Sequence, residues 1–151
     1  MKPAVWVEEE PQAQSTFYDI LASVDATAQM VVRRLLFGIK DSVDAIVWGM
    51  GSHEASVTAY VDHLATSTRV CTIRSNGMIE LHLESLNTGI LTDVTSLRQL
   101  RRLVQTLSET AFPEGAPFEL LTVPVPLASS AEGFSNLAAA LQELIRCLKY
   151  A

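Results

Sequence analysis

The sequence predicts an α+β fold: a mainly antiparallel sheet of four to five strands with helices packed on one face, in a single domain. One observation behind this prediction is a pair of segments that alternate apolar and polar residues about a turn, as strands with one buried face do. Another is a set of three segments with apolar residues every three or four positions, which is typical of amphipathic helices. The predicted elements follow in the order α-α-β-β-β-β-α-β-α.

The chain has the length and composition of one domain with its own hydrophobic core. It contains 151 residues, 48% of them hydrophobic, and carries a net charge of −6. A core of this size needs no disulfide or metal. Residues 1–14 are predicted to be an acidic, flexible N-terminal segment, and residues 15–151 to be the α+β domain.

Two helices are predicted before the first strand. Ser15 or Thr16 can cap the first helix, and Asp25 can cap a second helix that ends at Gly38, a residue type common just after a helix. The second segment has its apolar residues at helical spacing and keeps both of its arginines off that stripe. A strand would place one arginine on each face, so we predict a helix.

Two strands are predicted next. Val43–Trp48 is rich in β-branched and aromatic residues and is predicted to be a strand that ends at the Gly49–Gly51 turn. Residues 54–65 fit a strand, by their alternation of apolar and polar residues, or a helix capped by Ser52. We favour the strand, because the alternating residues are mostly β-formers.

A β-hairpin over residues 68–84 is the clearest local pattern. A two-residue Asn-Gly turn would pair Ile73 with Glu80 and mix apolar and charged residues on each face. A three-residue loop, with Gly77 in the left-handed conformation, separates the two kinds of residue. It pairs Ile73 with Ile79 and Cys71 with Leu81, and gathers Thr72, Arg74, Glu80 and His82 on the other face. We therefore predict the three-residue loop.

The last third of the chain is predicted to form a helix, a strand and a final helix. Asp93 or Thr95 opens the first of these helices, which carries a leucine stripe. Phe118–Leu127 is a strand whose two prolines remove amides from the same edge, so that edge should be unpaired over its second half. A capping box at residues 129–132 opens the final helix.

Composition and cysteine use argue against several classes of protein. The acidic net charge argues against nucleic-acid binding. No segment is apolar enough for a membrane span, and no basic segment with an apolar run forms a signal peptide. Cys71 and Cys147 are predicted to be separate buried thiols in different elements. The expected location is therefore the reducing cytoplasm.

No motif in the sequence points to catalysis or to a cofactor. The segment at residues 49–54 follows a strand as a phosphate loop would, but a glutamate stands where a dinucleotide fingerprint needs its third glycine. His53, His63 and His82 lack the spacing of metal ligands, so no metal and no cofactor are predicted. His82 is expected on the solvated face of the hairpin, with Cys71 on the other face and out of its reach.

The most concentrated positive patch consists of Arg98, Arg101 and Arg102, on the helix side opposite the leucine stripe. Two interpretations are open: a solvated helix face, or a docking face for an acidic partner or for the chain's own residues 8–10. Trp6 lies in a short apolar stretch before those glutamates and is a second docking candidate. These four side chains form the predicted partner-binding site.

The expected function is a non-catalytic protein–protein interaction module: an assembly or secretion chaperone, an adaptor, or an inhibitor or immunity-type protein. The expectation rests on well-formed helix and strand patterns without a catalytic motif, together with the arginine-rich helix. The generous hydrophobic content predicts a homodimer or a subunit of a hetero-complex. The alternative is a small-ligand or nucleotide-binding protein, with or without enzymatic activity, that uses the Gly49–Gly51 turn.

Overall fold

A computed structural model describes residues 11–50, 55–63, 66–84, 94–105, 107, 120–124 and 131–149. These residues form an α+β fold in which helices pack on a five-stranded antiparallel sheet, so the predicted fold class and order of elements are confirmed. The helices are α1 (Pro11–Val24), α2 (Ala28–Ile39), α3 (Val94–Gln105) and α4 (Ala131–Lys149). The strands are β1 (Ala45–Met50), β2 (Ala55–His63), β3 (Thr66–Arg74), β4 (Met78–Leu81) and β5 (Leu121–Pro124).

The strands lie in the sheet in chain order, each antiparallel to its neighbour. α1 packs against β1 and β2, α4 packs against β2 and β3, and α2 contacts both of these helices. The apolar face of the sheet and the inner sides of the helices share one hydrophobic core. Within the described residues, β1 and β5 are therefore the two edge strands.

The hairpin adopts the predicted register. Ile73 lies opposite Ile79, and Cys71 lies opposite Leu81. Gly77 has a φ of 91°, the left-handed conformation that the three-residue loop requires. The turn chemistry and the alternation of the two strands thus agree, which is why this local prediction is confirmed.

Residues 55–63 form a strand, as we favoured, and not the alternative helix. The register of β2 with β3 shifts after the Ala59–Cys71 pair, so Val70 is the extra residue of a β-bulge. The amide of His82 donates a hydrogen bond of 2.9 Å to the carbonyl oxygen of Val70. The bulge therefore holds the backbone of His82 against β3.

The ends of the first two helices differ from the prediction. α1 begins at Pro11, before the predicted Ser15 cap, because a proline is well accommodated in the first helical position. The Asp25 carboxylate accepts hydrogen bonds of 2.9 and 2.8 Å from the amide and hydroxyl of Thr27, the residue before α2. These bonds lower the pKa of Asp25. Gly38 lies inside α2 and not after its end.

Gly38→Ala should raise the free energy of unfolding by about 0.5–1 kcal/mol, because alanine lacks glycine's helix penalty. Gly38 is exposed, and a Cβ atom built on it meets nothing within 4 Å. The helix continues past this glycine because the Ile39 side chain is buried in the core. Urea denaturation measures the change, and a lower free energy of unfolding would contradict the helical assignment.

Three further predictions concern the ends of the sheet, the thiols and the membrane. Pro124 lies in β5, which is the last strand of the sheet in the described residues, as the missing proline amide requires. Pro126, Asp93 and the predicted cap at Ser129 lie outside the described residues. Cys71 and Cys147 are buried and unlinked, which confirms two separate thiols. Among the described helices, none combines the length and the hydropathy needed to cross a membrane.

Candidate functional site

The outward side of α2 mixes apolar and cationic residues. We call it the α2 surface; it consists of Met30, Arg33, Arg34, Phe37 and, just past the helix end, Lys40. Spacings of three, four and seven place these residues on one side of the helix, opposite its buried stripe. Met30 is 68% exposed and Phe37 is 71% exposed. The helix itself contains no acidic residue.

Each cation of the α2 surface lies over an aromatic ring. The distances to the ring centres are 3.9 Å for Arg33 over Tyr18, 4.4 Å for Arg34 over Phe134 and 4.8 Å for Lys40 over Phe37. Such contacts are worth about 0.5–1 kcal/mol at exposed sites. They order the side chains without neutralising them, since no carboxylate in the described part of the chain lies within ion-pairing distance of these cations.

An aromatic cluster below the α2 surface joins α1 to β1. Phe17, Tyr18 and Trp48 are buried, with ring centres between 5.3 and 5.6 Å apart in edge-to-face or tilted contact. Burial raises the pKa of the Tyr18 phenol, and the Arg33 guanidinium acts in the opposite direction. The phenol is therefore neutral near pH 7 and does not neutralise the charge of Arg33.

A cavity of about 280 Å³ opens beside this cluster, where α1, α2 and β1 meet. We call it the α2–β1 cavity. Its walls include the apolar or aromatic side chains of Tyr18, Leu36, Phe37, Ile46 and Trp48, and Arg33 and Lys40 also line it. Apolar walls beside unneutralised cations suit an apolar group that is attached to negative charge.

A second cavity, of about 580 Å³, lies between α3, α4 and the residues that follow α2. Its cations are already paired with acids. Arg146 binds both carboxylate oxygens of Glu143, and Lys149 lies 3.8 Å from Asp44. The charges of this cavity offset one another, in contrast to those of the α2–β1 cavity.

A row of hydrogen bonds crosses the polar face of the sheet. Thr58 Oγ1 lies 3.1 Å from Thr72 Oγ1, Thr72 Oγ1 lies 2.8 Å from His82 Nε2, and His82 Nδ1 lies 3.2 Å from Glu84 Oε1. The expectation of a solvated face is wrong for Thr72 and His82, which are only 5% and 4% exposed. They tolerate burial because these bonds replace the bonds to water.

The direction of these bonds follows from the acceptors. An ionised Glu84 can only accept, so we place the imidazole hydrogen on Nδ1 and let Nε2 accept from the Thr72 hydroxyl, which accepts from Thr58. Hydroxyl, imidazole and carboxylate then stand in the order of an activated nucleophile. The Thr72 hydroxyl is buried and already has both partners, however, so we interpret the row as structural.

Thr72→Val should lower the free energy of unfolding by about 1–2 kcal/mol, because it leaves the buried Nε2 of His82 without its donor. The matched control is Thr58→Val, at the half-buried end of the row, where the bond between Thr72 and His82 survives. Chemical denaturation of the two variants measures the difference. Equal losses of unfolding free energy in the two variants would show that the bond between Thr72 and His82 adds no stability beyond that of the bond between Thr58 and Thr72.

Cys71 is not a reactive thiol, and the described residues hold no metal cluster. Burial raises the pKa of the Cys71 thiol to about 12, so the thiolate that a nucleophile needs is scarce near pH 7. Within the same residues, no three His, Cys, Asp or Glu side chains converge as metal ligands.

The predicted partner-binding residues are placed only in part. Arg98 and Arg102 are exposed on α3, and Arg101 is half-buried on the same helix. Trp6 lies outside the described residues. The role of these four side chains in binding stays a prediction.

Gly49 and Met50, predicted to begin the Gly49–Gly51 turn, belong to the strand. Gly49 lies opposite Ser56 in β1, and the strand continues through Met50. The prediction that the strand ends before this turn is wrong for these two residues, because both pair with β2. Gly51 lies outside the described residues.

Sequence reasoning missed the α2 surface, although a signal was present. Met30 and Phe37 are seven residues apart, with the two arginines between them, on the side that the buried stripe leaves free. An apolar pair within a cationic face is the pattern that points to an interface.

No family model, no curated protein and no solved structure matches the chain.

Proposed function

We propose that this protein is a non-catalytic protein–protein interaction module that binds an acidic partner through the α2 surface. The observation that carries the proposal is the exposure of Met30 and Phe37 among cations that have no carboxylate neighbour in the described part of the chain. Interface cores are enriched in methionine, aromatic residues and arginine, and depleted of acidic residues. The α2 surface has this composition.

The fixed positions of the cationic side chains also support binding. Immobilising a long side chain on association costs about 0.5–1.5 kcal/mol. Arg33 and Arg34 already lie over aromatic rings, so part of this cost is met within the folded chain. Phe37, exposed beside the α2–β1 cavity, is the expected hot spot.

A partner of different sequence fits this surface better than a second copy does. A two-fold contact would bring the same patch of both copies together and set cations against cations. Carboxylates of another protein would complete the charges instead. We therefore propose a subunit of a hetero-complex, with the role of an assembly or secretion chaperone, an adaptor, or an inhibitor or immunity-type protein.

Affinity capture with the full-length chain tests this function. The Met30→Ser, Phe37→Ser double variant should lose a partner that the wild type retains, because both apolar contacts are gone. The matched control is Val24→Ser with Leu120→Ser, which changes two exposed apolar residues outside the α2 surface. A partner retained equally by all three proteins would contradict the proposal, as would the absence of any partner.

The predicted α3 patch enters the same experiment. If Arg98, Arg101 and Arg102 belong to the contact, replacing all three with glutamate should lower partner retention and weaken its dependence on salt. Substitutions at the exposed Arg98 and Arg102 should each change stability by less than about 0.5 kcal/mol, and the half-buried Arg101 is replaced separately as well, so that a loss of folding is distinguished from a loss of binding. Normal retention would restrict the contact to the α2 surface. Trp6→Ser tests the other predicted residue in the same way.

A small-ligand function is the second candidate, and the cavity of about 580 Å³ favours it by its size. Pockets for metabolites span about 300–1,000 Å³. A thermal-shift screen with nucleotides and common metabolites separates the two functions, because a ligand at about 100 times its Kd adds about 2.7 kcal/mol of stability. The internal ion pairs of this cavity make it the weaker candidate.

A further inference from the structure

We propose that the partner contributes an extended acidic segment that pairs with β1, an edge strand of the described sheet, and inserts a large apolar side chain into the α2–β1 cavity. This inference rests on the proposed function and specifies its contact. Four observations carry it: the edge position of β1, its lack of protective residues, the position of the cavity along the strand, and the charge around the cavity.

β1 has a strand neighbour on one side only within the described part of the sheet. An edge strand presents backbone amides and carbonyls to solvent, and a second extended chain can pair with them. β1 is six residues long, which is enough for such a ladder. The opposite edge, β5, is shorter, with four residues, and ends in Pro124.

The residues of β1 do not protect this edge. Edge strands in monomeric proteins are usually blunted by a lysine, another charge, a proline or a bulge. β1 has the sequence Ala-Ile-Val-Trp-Gly-Met, without charge or proline, and its register with β2 is regular. The bulge of the described sheet lies further along, in the β2–β3 pair. Of the two edge strands in the described sheet, β1 is therefore the one that suits strand addition.

The cavity lies where an added strand would need it. Ile46 and Trp48 point from β1 to the apolar side of the sheet and line the α2–β1 cavity. Side chains of a paired strand alternate between the two faces, so every second side chain of an added segment would point to this side. A volume of about 280 Å³ suits one or two side chains and is below the usual range for a whole metabolite.

The positive charge at the cavity indicates that the residues next to the inserted side chain are acidic. Arg33 and Lys40 line it, and in the described part of the chain neither has a carboxylate partner. Carboxylates that follow or precede the inserted side chain would pair with these cations and gain charge-assisted contacts. The chain as a whole carries a net charge of −6, so an acidic segment is attracted by local cationic patches such as this one and not by the molecule as a whole.

The test uses a synthetic peptide with the pattern Val-Trp-Val-Glu-Glu-Glu, a dye at one end, and the full-length protein. Fluorescence anisotropy should show saturable binding. Arg33→Glu with Lys40→Glu should weaken it by about tenfold or more, as should a peptide with glutamines in place of the glutamates. The control Arg69→Glu reverses the charge of an exposed arginine on β3, outside the α2 surface and the α3 patch, and should change affinity less than about twofold.

Hydrogen exchange reports the binding mode. With peptide bound, the amides of β1 should exchange more slowly, because about half of them point away from β2, the only strand paired with β1 in the described residues. Slower exchange in α2 alone would overturn strand addition, and so would an absence of peptide binding or an equal loss of affinity with the Arg69→Glu control. Binding that occurs only after deletion of residues 1–10 would identify the chain's own Val5–Glu10 as the occupant and overturn a partner segment.

The two proposals fail separately. The capture experiment with Met30→Ser and Phe37→Ser uses no peptide and measures retention of a whole partner protein. A partner lost in that experiment, together with no binding of the peptide, keeps the interaction function and rejects strand addition. A partner retained in that experiment rejects both.

Discussion

Leu141→Ala should lower the free energy of unfolding by about 2–5 kcal/mol, the largest change that we expect from a single substitution. Leu141 lies in α4, which packs against the central strands β2 and β3, and its side chain is only 1% exposed. The variant loses the transfer energy of the removed carbons and leaves a cavity that packed neighbours fill only in part. Urea denaturation at constant m-value measures the loss.

Leu120→Ala is the matched control, because it makes the same chemical change at a side chain that is 46% exposed. Its cost should stay within about 0.5 kcal/mol. A cost below about 1 kcal/mol for Leu141→Ala would contradict the position of α4 against the sheet, since no core leucine is removed so cheaply.

Gly77→Val should lower the free energy of unfolding by about 2–3 kcal/mol, because a β-branched residue at positive φ is strained. Gly77 has a φ of 91°, and its added Cβ would lie 3.5 Å from Val24 Cγ1, so the valine branches would also be crowded. The turn also contacts β2, outside the hairpin. The buried hydroxyl of Ser75 accepts a 2.9 Å hydrogen bond from the amide of Ala55, the first residue of β2.

Gly77→Asn is the control for the turn, because asparagine accepts the left-handed conformation far more readily than valine does. Thermal melts of the wild type and both variants measure the change, and the loss of stability with asparagine should be well under half of the loss with valine. Equal melting temperatures for wild type and Gly77→Val would refute the three-residue loop and with it the register of β3 and β4.

The sequence was sufficient for the hairpin because every determinant of the hairpin is local. Gly77 selects the loop, and alternation across the turn selects the register. The helix ends were less predictable, because burial elsewhere decides them. Gly38 has the chemistry of a helix end, yet the helix continues so that Ile39 reaches the core. A single sequence does not contain that competition between a local preference and tertiary packing.

The buried polar row was out of reach of the sequence for a related reason. His82 has glutamates two residues away on both sides, a pattern that favours a solvated strand face. Its burial depends on the Thr72 hydroxyl across the hairpin and on the Val70 carbonyl of the bulge. A bulge adds one residue to one strand, and no residue spacing in the sequence indicates where this bulge lies.

The α2 surface was predictable as a helix face but not as an exposed one. The stripe that contains Val32 and Leu35 identifies the buried side. Met30 and Phe37 lie on the opposite side, and whether another element covers that side depends on how the helices lie on the sheet. The fold leaves both side chains exposed, which turned a helix with no assigned role into the candidate site.

Site-specific photo-crosslinking tests most directly the claim that the α2 surface contacts a protein partner. A photoreactive phenylalanine derivative replaces Phe37 in one protein and the exposed Leu120 in another, and both are irradiated in the same cell lysate. We expect one discrete adduct with an acidic protein from position 37, lost with Arg33→Glu and Lys40→Glu, and none from position 120. No adduct from position 37, or the same adducts from both positions, would contradict the account.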